Sequence, residues 1–81
     1  MAYVIHTLAK DDESQTVTPI FAQHVGKARV TWTPDRTKAR RYRHEDTAEK
    51  AAGRIRLMGR AVTRFPHETW AVPETRFDDG G

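Results

Sequence analysis

A chain of 81 residues, 37% of them hydrophobic and with a net charge of +3, makes a single domain with a thin core and little room for a deep pocket. It contains no cysteine, so neither a disulfide framework nor a cysteine zinc site holds it together, and no run approaches the roughly eighteen apolar residues of a membrane span. Twelve of its fourteen basic residues lie between Lys27 and Arg64 against four acids there, so a middle of +8 is flanked by acidic ends.

The opening Met-Ala-Tyr-Val-Ile-His lacks a positive leader and does not read as a secretory signal. Tyr3 to Leu8 mixes β-branched and aromatic residues, with Tyr3, Ile5 and Thr7 on one face and Val4, His6 and Leu8 on the other, which predicts a strand. The polar run Lys10 to Gln15 predicts a solvated turn, and Thr16 to Gln23 a second strand. Pro19 cannot donate to a ladder, which puts that strand at an edge or breaks it near its middle. After a turn at Gly26, Arg29 to Thr33 closes a three-stranded antiparallel meander before Pro34-Asp35 turns the chain.

From Asp46 the period changes. Asp46 is placed to N-cap a helix with Glu49 completing a capping box, and Ala48, Ala51, Ala52, Ile55 and Met58 recur at helical spacing. Gly59 is placed to end this helix, while Gly53 weakens it by roughly 1 kcal/mol relative to alanine. Arg60 to Phe65 alternates as a strand should, Pro66-His67-Glu68 turns, and Thr69 to Val72 is a last short strand. The expected fold is α+β: a three-stranded meander, one helix packed on one face of a small antiparallel sheet, and two short strands, with residues 1–76 forming the domain and 77–81 a flexible tail. The acidic groups Asp11-Asp12-Glu13 and Asp78-Asp79 read as solvated loops or as complements to the basic belt of a second copy, and the oligomeric state stays open.

The residues argue against most chemistry. His6, His24, His44 and His67 are never three or four positions apart, so no metal site is expected, and no cofactor motif is present. A serine elbow, a phosphate-binding glycine loop and a carboxylate pair are all missing, and His67 beside Glu68 reads as a polar turn, so no catalytic residues are expected. The basic belt remains. Arg36, Lys38, Arg40, Arg41 and Arg43 are followed by Arg54, Arg56 and Arg60 on or beside the helix, and these eight are the expected partner contacts, whether to phosphate or to an acidic protein surface. Tyr42 inside the run is expected to face the core rather than to stack on a base, and Trp32 and Trp70 are read as core-filling residues, the alternative being that one of them is half exposed beside arginines.

Trp32, a turn, Ala39-Arg40-Arg41-Tyr42, Glu45-Asp46, Ala48 and Ala51-Ala52 together resemble small α+β proteins of bacteriophages and mobile elements, in which a tryptophan strand precedes an alanine-arginine-x-aromatic loop and an alanine-rich helix. The resemblance covers residues 30 to 58 and extends to anti-CRISPR inhibitors. It implies a cytoplasmic, non-enzymatic protein that binds stoichiometrically to a bacterial host protein or nucleoprotein complex, a CRISPR effector in its most concrete form. Many such inhibitors imitate DNA with acidic surfaces, whereas this middle is basic, so contact with acidic patches or with the RNA or DNA held in the target is expected instead. The alternative is a small basic protein that binds nucleic acid directly, with Tyr42 or Trp32 as stacking platform. Arginine outnumbering lysine ten to four, with ten alanines, fits a GC-rich bacterial source.

Overall fold

The structure, a computed structural model, describes residues 2–77. Strands β1 (Tyr3–Asp11), β2 (Thr16–Val25), β3 (Val30–Thr33) and β4 (Trp70–Pro73) form one antiparallel sheet in the order β3-β2-β1-β4, and helix α1 (Glu45–Met58) packs on one face of it. The fold class is therefore α+β with a small sheet, as expected. The least dimension, 19 Å, is that of one sheet plus one layer of helix.

The register explains the burial pattern. Ile5 pairs with Ala71 and Ala22 with Trp32, so these side chains share the face under α1, where Ile5, Ala22, Tyr42, Ala48, Ala52 and Ile55 form the main core. Val4 pairs with Val72 and His6 with Phe21, which turns Val4, Phe21 and Val72 to the opposite face, where Ala39 covers them. A thin helix stripe of alanines brings α1 close to the sheet, and the small residues leave Ile55 as its largest fully buried side chain. Leu57 lies opposite this stripe and is 89% exposed. No helix among the described residues is long and apolar enough to cross a membrane.

Pro19 sits in a strand that is central for only half its length. β3 pairs with Phe21 to Val25, so Pro19, opposite Leu8, lies beyond the end of β3 and has a neighbour on one side alone. The missing N–H thus costs no bond to β3, and β2 runs unbroken. Gln23 is an extra residue in the pairing, since Ala22 faces Trp32 while His24 faces Thr31.

Two expectations are corrected. α1 begins at Glu45 with His44 at the N-cap, and no side chain caps it, so Asp46 lies inside the first turn and no capping box forms. Glu45 and Asp46 oppose the positive helix end through charge instead. Arg60 to Phe65 is not a strand: Gly59–Ala61 is a single tight turn and the remainder is irregular, so the sheet has four strands where five were expected. The reason is a buried hydroxyl network. Thr63 Oγ1 and Thr69 Oγ1 each lie 3.0 Å from Thr7 Oγ1, and the Phe65 carbonyl accepts from the Thr7 and Thr69 hydroxyls at 3.2 and 3.1 Å. These bonds pin the segment over the helix-side face of β1, and the Val62 carbonyl accepts from Trp32 Nε1 at 2.8 Å, leaving the chain no extended neighbour with which to pair. Of the tail expected over residues 77–81, Phe77 closes the turn Glu74–Phe77 and the rest, with Asp78-Asp79, lies outside the described residues.

Gly59 ends α1 as expected, at φ +64° and ψ −144°, its N–H directed to the Ile55 and Arg56 carbonyls. That backbone suits glycine alone, whereas a Cβ on Gly53 would meet Arg56 Nη2 at an ordinary 3.6 Å. Gly59→Ala is expected to destabilise the domain by about 1–3 kcal/mol and Gly53→Ala to stabilise it by about 0.5–1 kcal/mol. Urea unfolding of the two variants checks this; equal effects would mean that α1 does not end where it is seen to end.

Candidate nucleic-acid or protein interface

The arginine run looks solvated in sequence but is stitched into the sheet. β1 and β2 pair only from His6 and Phe21 outward, and past that point they separate. The segment 39–42 fills the gap. Arg40 N donates to the Ala22 carbonyl of β2 at 2.9 Å, and Tyr3 of β1 and Tyr42 exchange both backbone bonds at 2.8 Å. Ala39 is buried on one face of the sheet and Tyr42 on the other, so the chain crosses from face to face through the split. Ahead of it, Asp35 accepts from Thr37 N at 2.9 Å and Thr37 Oγ1 at 2.6 Å, starting the Arg36–Lys38 turn. These bonds to Thr37, helped by Lys38 and Arg36, hold the Asp35 carboxyl below its ordinary 3.8. A loop anchored at Asp35, Arg40 and Tyr42 presents its cations from a fixed backbone.

The eight predicted contacts separate into groups. Arg41 Nε bonds Glu74 Oε2 at 2.9 Å and Arg36 Nη1 lies 4.0 Å from Glu74 Oε1, so these two cations share one carboxylate after β4. Lys38 and Arg43 are exposed. Arg56 serves the opposite flank of the helix: Nη1 donates to the Thr69 carbonyl at 2.7 Å, Nη2 lies 3.8 Å from Glu49, and its guanidinium stands 4.8 Å from the centroid of the Trp70 ring. Trp32 is packed against the core, as its default reading has it, whereas Trp70 is 46% exposed and follows the alternative of a half-exposed tryptophan beside an arginine. Arg60 lines an open groove of about 650 Å³ along the irregular segment 60–65, where Arg64 pairs with Asp12 at 3.1 Å.

Arg40 and Arg54 come together. With Val25, Tyr42, Thr47, Lys50 and Ala51 they line a shallow cleft of about 240 Å³ between α1, the end of β2 and the loop. Thr47, Lys50, Ala51 and Arg54 recur at i, i+3, i+4 and i+7 and so form one stripe beside the buried one. Arg40 stands 5.2 Å from the centroid of the Tyr42 ring. Among the described residues no carboxylate pairs with Arg40, Lys50 or Arg54, and the lining contains none. Lys50 and Thr47 were outside the predicted set; the helical spacing of Lys50 from Arg54 was the signal that could have found them.

Tyr42 is 7% exposed, which fits the expectation that it faces the core. Burial raises its pKa above 10.0, and the charges of Arg40 and Arg54 oppose that rise. The hydroxyl accordingly keeps its proton across the neutral range. Because the folded-state pKa exceeds the unfolded one, stability is fully present below pH 10 and is lost as pH rises through the folded value. A phenolate absorbance titration is expected to show one tyrosine ionising above 10.0, and Tyr42→Phe is expected to remove that step.

The four histidines lie on β1, on β2, before α1 and in the Pro66–Glu68 turn, and among the described residues no three His, Cys, Asp or Glu side chains gather as metal ligands. Comparison with protein-family models, with curated proteins and with solved structures finds no match.

Proposed function

We propose that this chain is a non-catalytic binding protein of the bacterial cytoplasm that occupies a surface of a host nucleoprotein complex through its basic face, in the manner of an anti-CRISPR inhibitor. The observation that carries this reading is the cleft: Arg40, Lys50 and Arg54 converge with no carboxylate in the lining, on a loop whose backbone is tied to both β1 and β2. Outside the cleft, Arg36 and Arg41 pair with Glu74, Arg56 with Glu49 and Arg64 with Asp12. The contact therefore centres on Arg40, Lys50 and Arg54, with Lys38 and Arg43 exposed nearby in sequence.

Direct binding of single strands by base stacking is less well supported. Tyr42 is buried beneath Arg40, and Trp32 is packed against the main core and does not line the cleft, so neither offers a free ring face there. Affinity capture from bacterial lysate, run with and without nuclease and read by mass spectrometry, tests the proposal. One discrete complex that survives nuclease is the expected result. Heterogeneous nucleic acid lost on nuclease treatment would replace the proposal with direct nucleic-acid binding.

A further inference from the structure

We propose that the cleft of Arg40, Thr47, Lys50, Arg54 and Tyr42 seats one backbone phosphodiester of the nucleic acid in the target complex. The inference rests on the binding reading above and deepens it, by choosing phosphate over an acidic protein side chain.

Three features of the lining favour phosphate. All three of its charged groups are cations, and its two hydroxyls can donate, so a bound anion meets donors from several directions. A tetrahedral phosphodiester, with oxygens pointing apart, uses such a ring, whereas a planar carboxylate presents two oxygens along one edge. The cleft, at about 240 Å³, also has room for the sugar that accompanies a phosphate. Finally, the backbone that carries the donors is fixed. Arg40 rests against the Tyr42 ring with its backbone bonded to β2, Lys50 and Arg54 stand one turn apart on α1, and the Tyr42 hydroxyl keeps its proton, with the charges of Arg40 and Arg54 acting on it. A fixed backbone and a packed Tyr42 ring leave less to be ordered on binding, which is where a small, shallow site must find its affinity. A contact to a backbone phosphate carries no sequence information, so the seat positions a strand without selecting its sequence.

The test uses the intact protein and a fluorescein-labelled single-stranded RNA of mixed sequence, with the same sequence as DNA, followed by anisotropy across a salt series. Removing one phosphate-facing cation is expected to flatten the slope of log K against log salt by about 0.7. Lys50→Gln and Arg54→Gln are each expected to do this without altering the thermal midpoint by more than a degree or two, since both side chains are exposed. Tyr42→Phe is expected to weaken binding about three- to tenfold while leaving the slope unchanged, because it removes a donor and no charge. Lys10→Gln, a neutralisation on β1 away from the cleft, is expected to change neither. Unlabelled polyglutamate of equal charge is expected to compete far less well than the oligonucleotide. No binding at low salt, slopes that Lys50→Gln and Arg54→Gln leave intact, or equal competition by polyglutamate would overturn the phosphate seat. Capture from lysate is read separately, so a nuclease-resistant complex obtained alongside any of those results would leave the binding reading standing.

Discussion

Ile55→Ala is expected to cost about 2–5 kcal/mol and to lower the unfolding midpoint by roughly 10–25 °C. Ile55 is fully buried, and the core around it is made of Ile5, Ala22, Tyr42, Ala48 and Ala52. Three of those five neighbours are alanines, which have no side chain long enough to move into the vacated space. The cavity would persist, and residual cavity volume is what carries a substitution to the upper part of the range. An 81-residue domain has only about 4–12 kcal/mol of stability in all, so this single truncation brings much of the population close to unfolding. Leu57→Ala, two positions on but 89% exposed, is expected to change stability by less than about 0.5 kcal/mol. Thermal and urea unfolding followed by circular dichroism check both. Similar costs at the two positions would mean that α1 is not seated on the sheet through the face described.

The second large effect concerns binding. Replacing Arg40, Arg43 and Arg54 together by glutamate is expected to weaken capture of the target by at least about a hundredfold while the domain stays folded. Reversing a charge removes an attraction and adds a repulsion, so three reversals comfortably exceed the roughly 2.7 kcal/mol that a hundredfold represents. The choice of residues follows from the structure. Arg41, which a reading of the run alone would include, bonds Glu74 at 2.9 Å, and reversing it would set two carboxylates against each other after β4. Arg40 contributes a ring contact with Tyr42 worth about 0.5–1 kcal/mol at a partly exposed site, a loss the fold can absorb. Quantitative capture with purified triple variant, alongside its unfolding midpoint, checks the expectation. Undiminished capture by a folded variant would remove the basic face from the interface.

Much of the fold was legible because short-range physics decides it. The alternation from Tyr3 to Leu8 and the helical spacing from Ala48 to Met58 each repeat several times, and a period repeated several times outweighs one misplaced residue. The end of α1 was legible for a different reason: Gly59 adopts a backbone that only glycine takes easily. Arg60 to Phe65 was misread because its alternation is genuine but its hydroxyl partners lie far off in sequence. Thr63 bonds Thr7, and Trp32 bonds the Val62 carbonyl, and neither pairing leaves a local trace. The candidate site was half legible. The charge run marked the right stretch of chain, yet charge by itself does not say which cations a fold neutralises.

By itself the sequence determined a single cysteine-free α+β domain, a basic middle, the helix with its alanine stripe, and a buried Tyr42, since composition, period and residue size settle these locally. Tertiary structure alone decided that β1 and β2 part beyond His6 and Phe21, that the segment 39–42 closes the gap, and that Arg40 thereby meets Lys50 and Arg54 while Arg36 and Arg41 turn to Glu74 and Arg56 to Trp70. Those outcomes depend on strand register and on ion pairs between residues up to 38 apart (Arg36 and Glu74), and the free energy that selects them exists only once the sheet has formed.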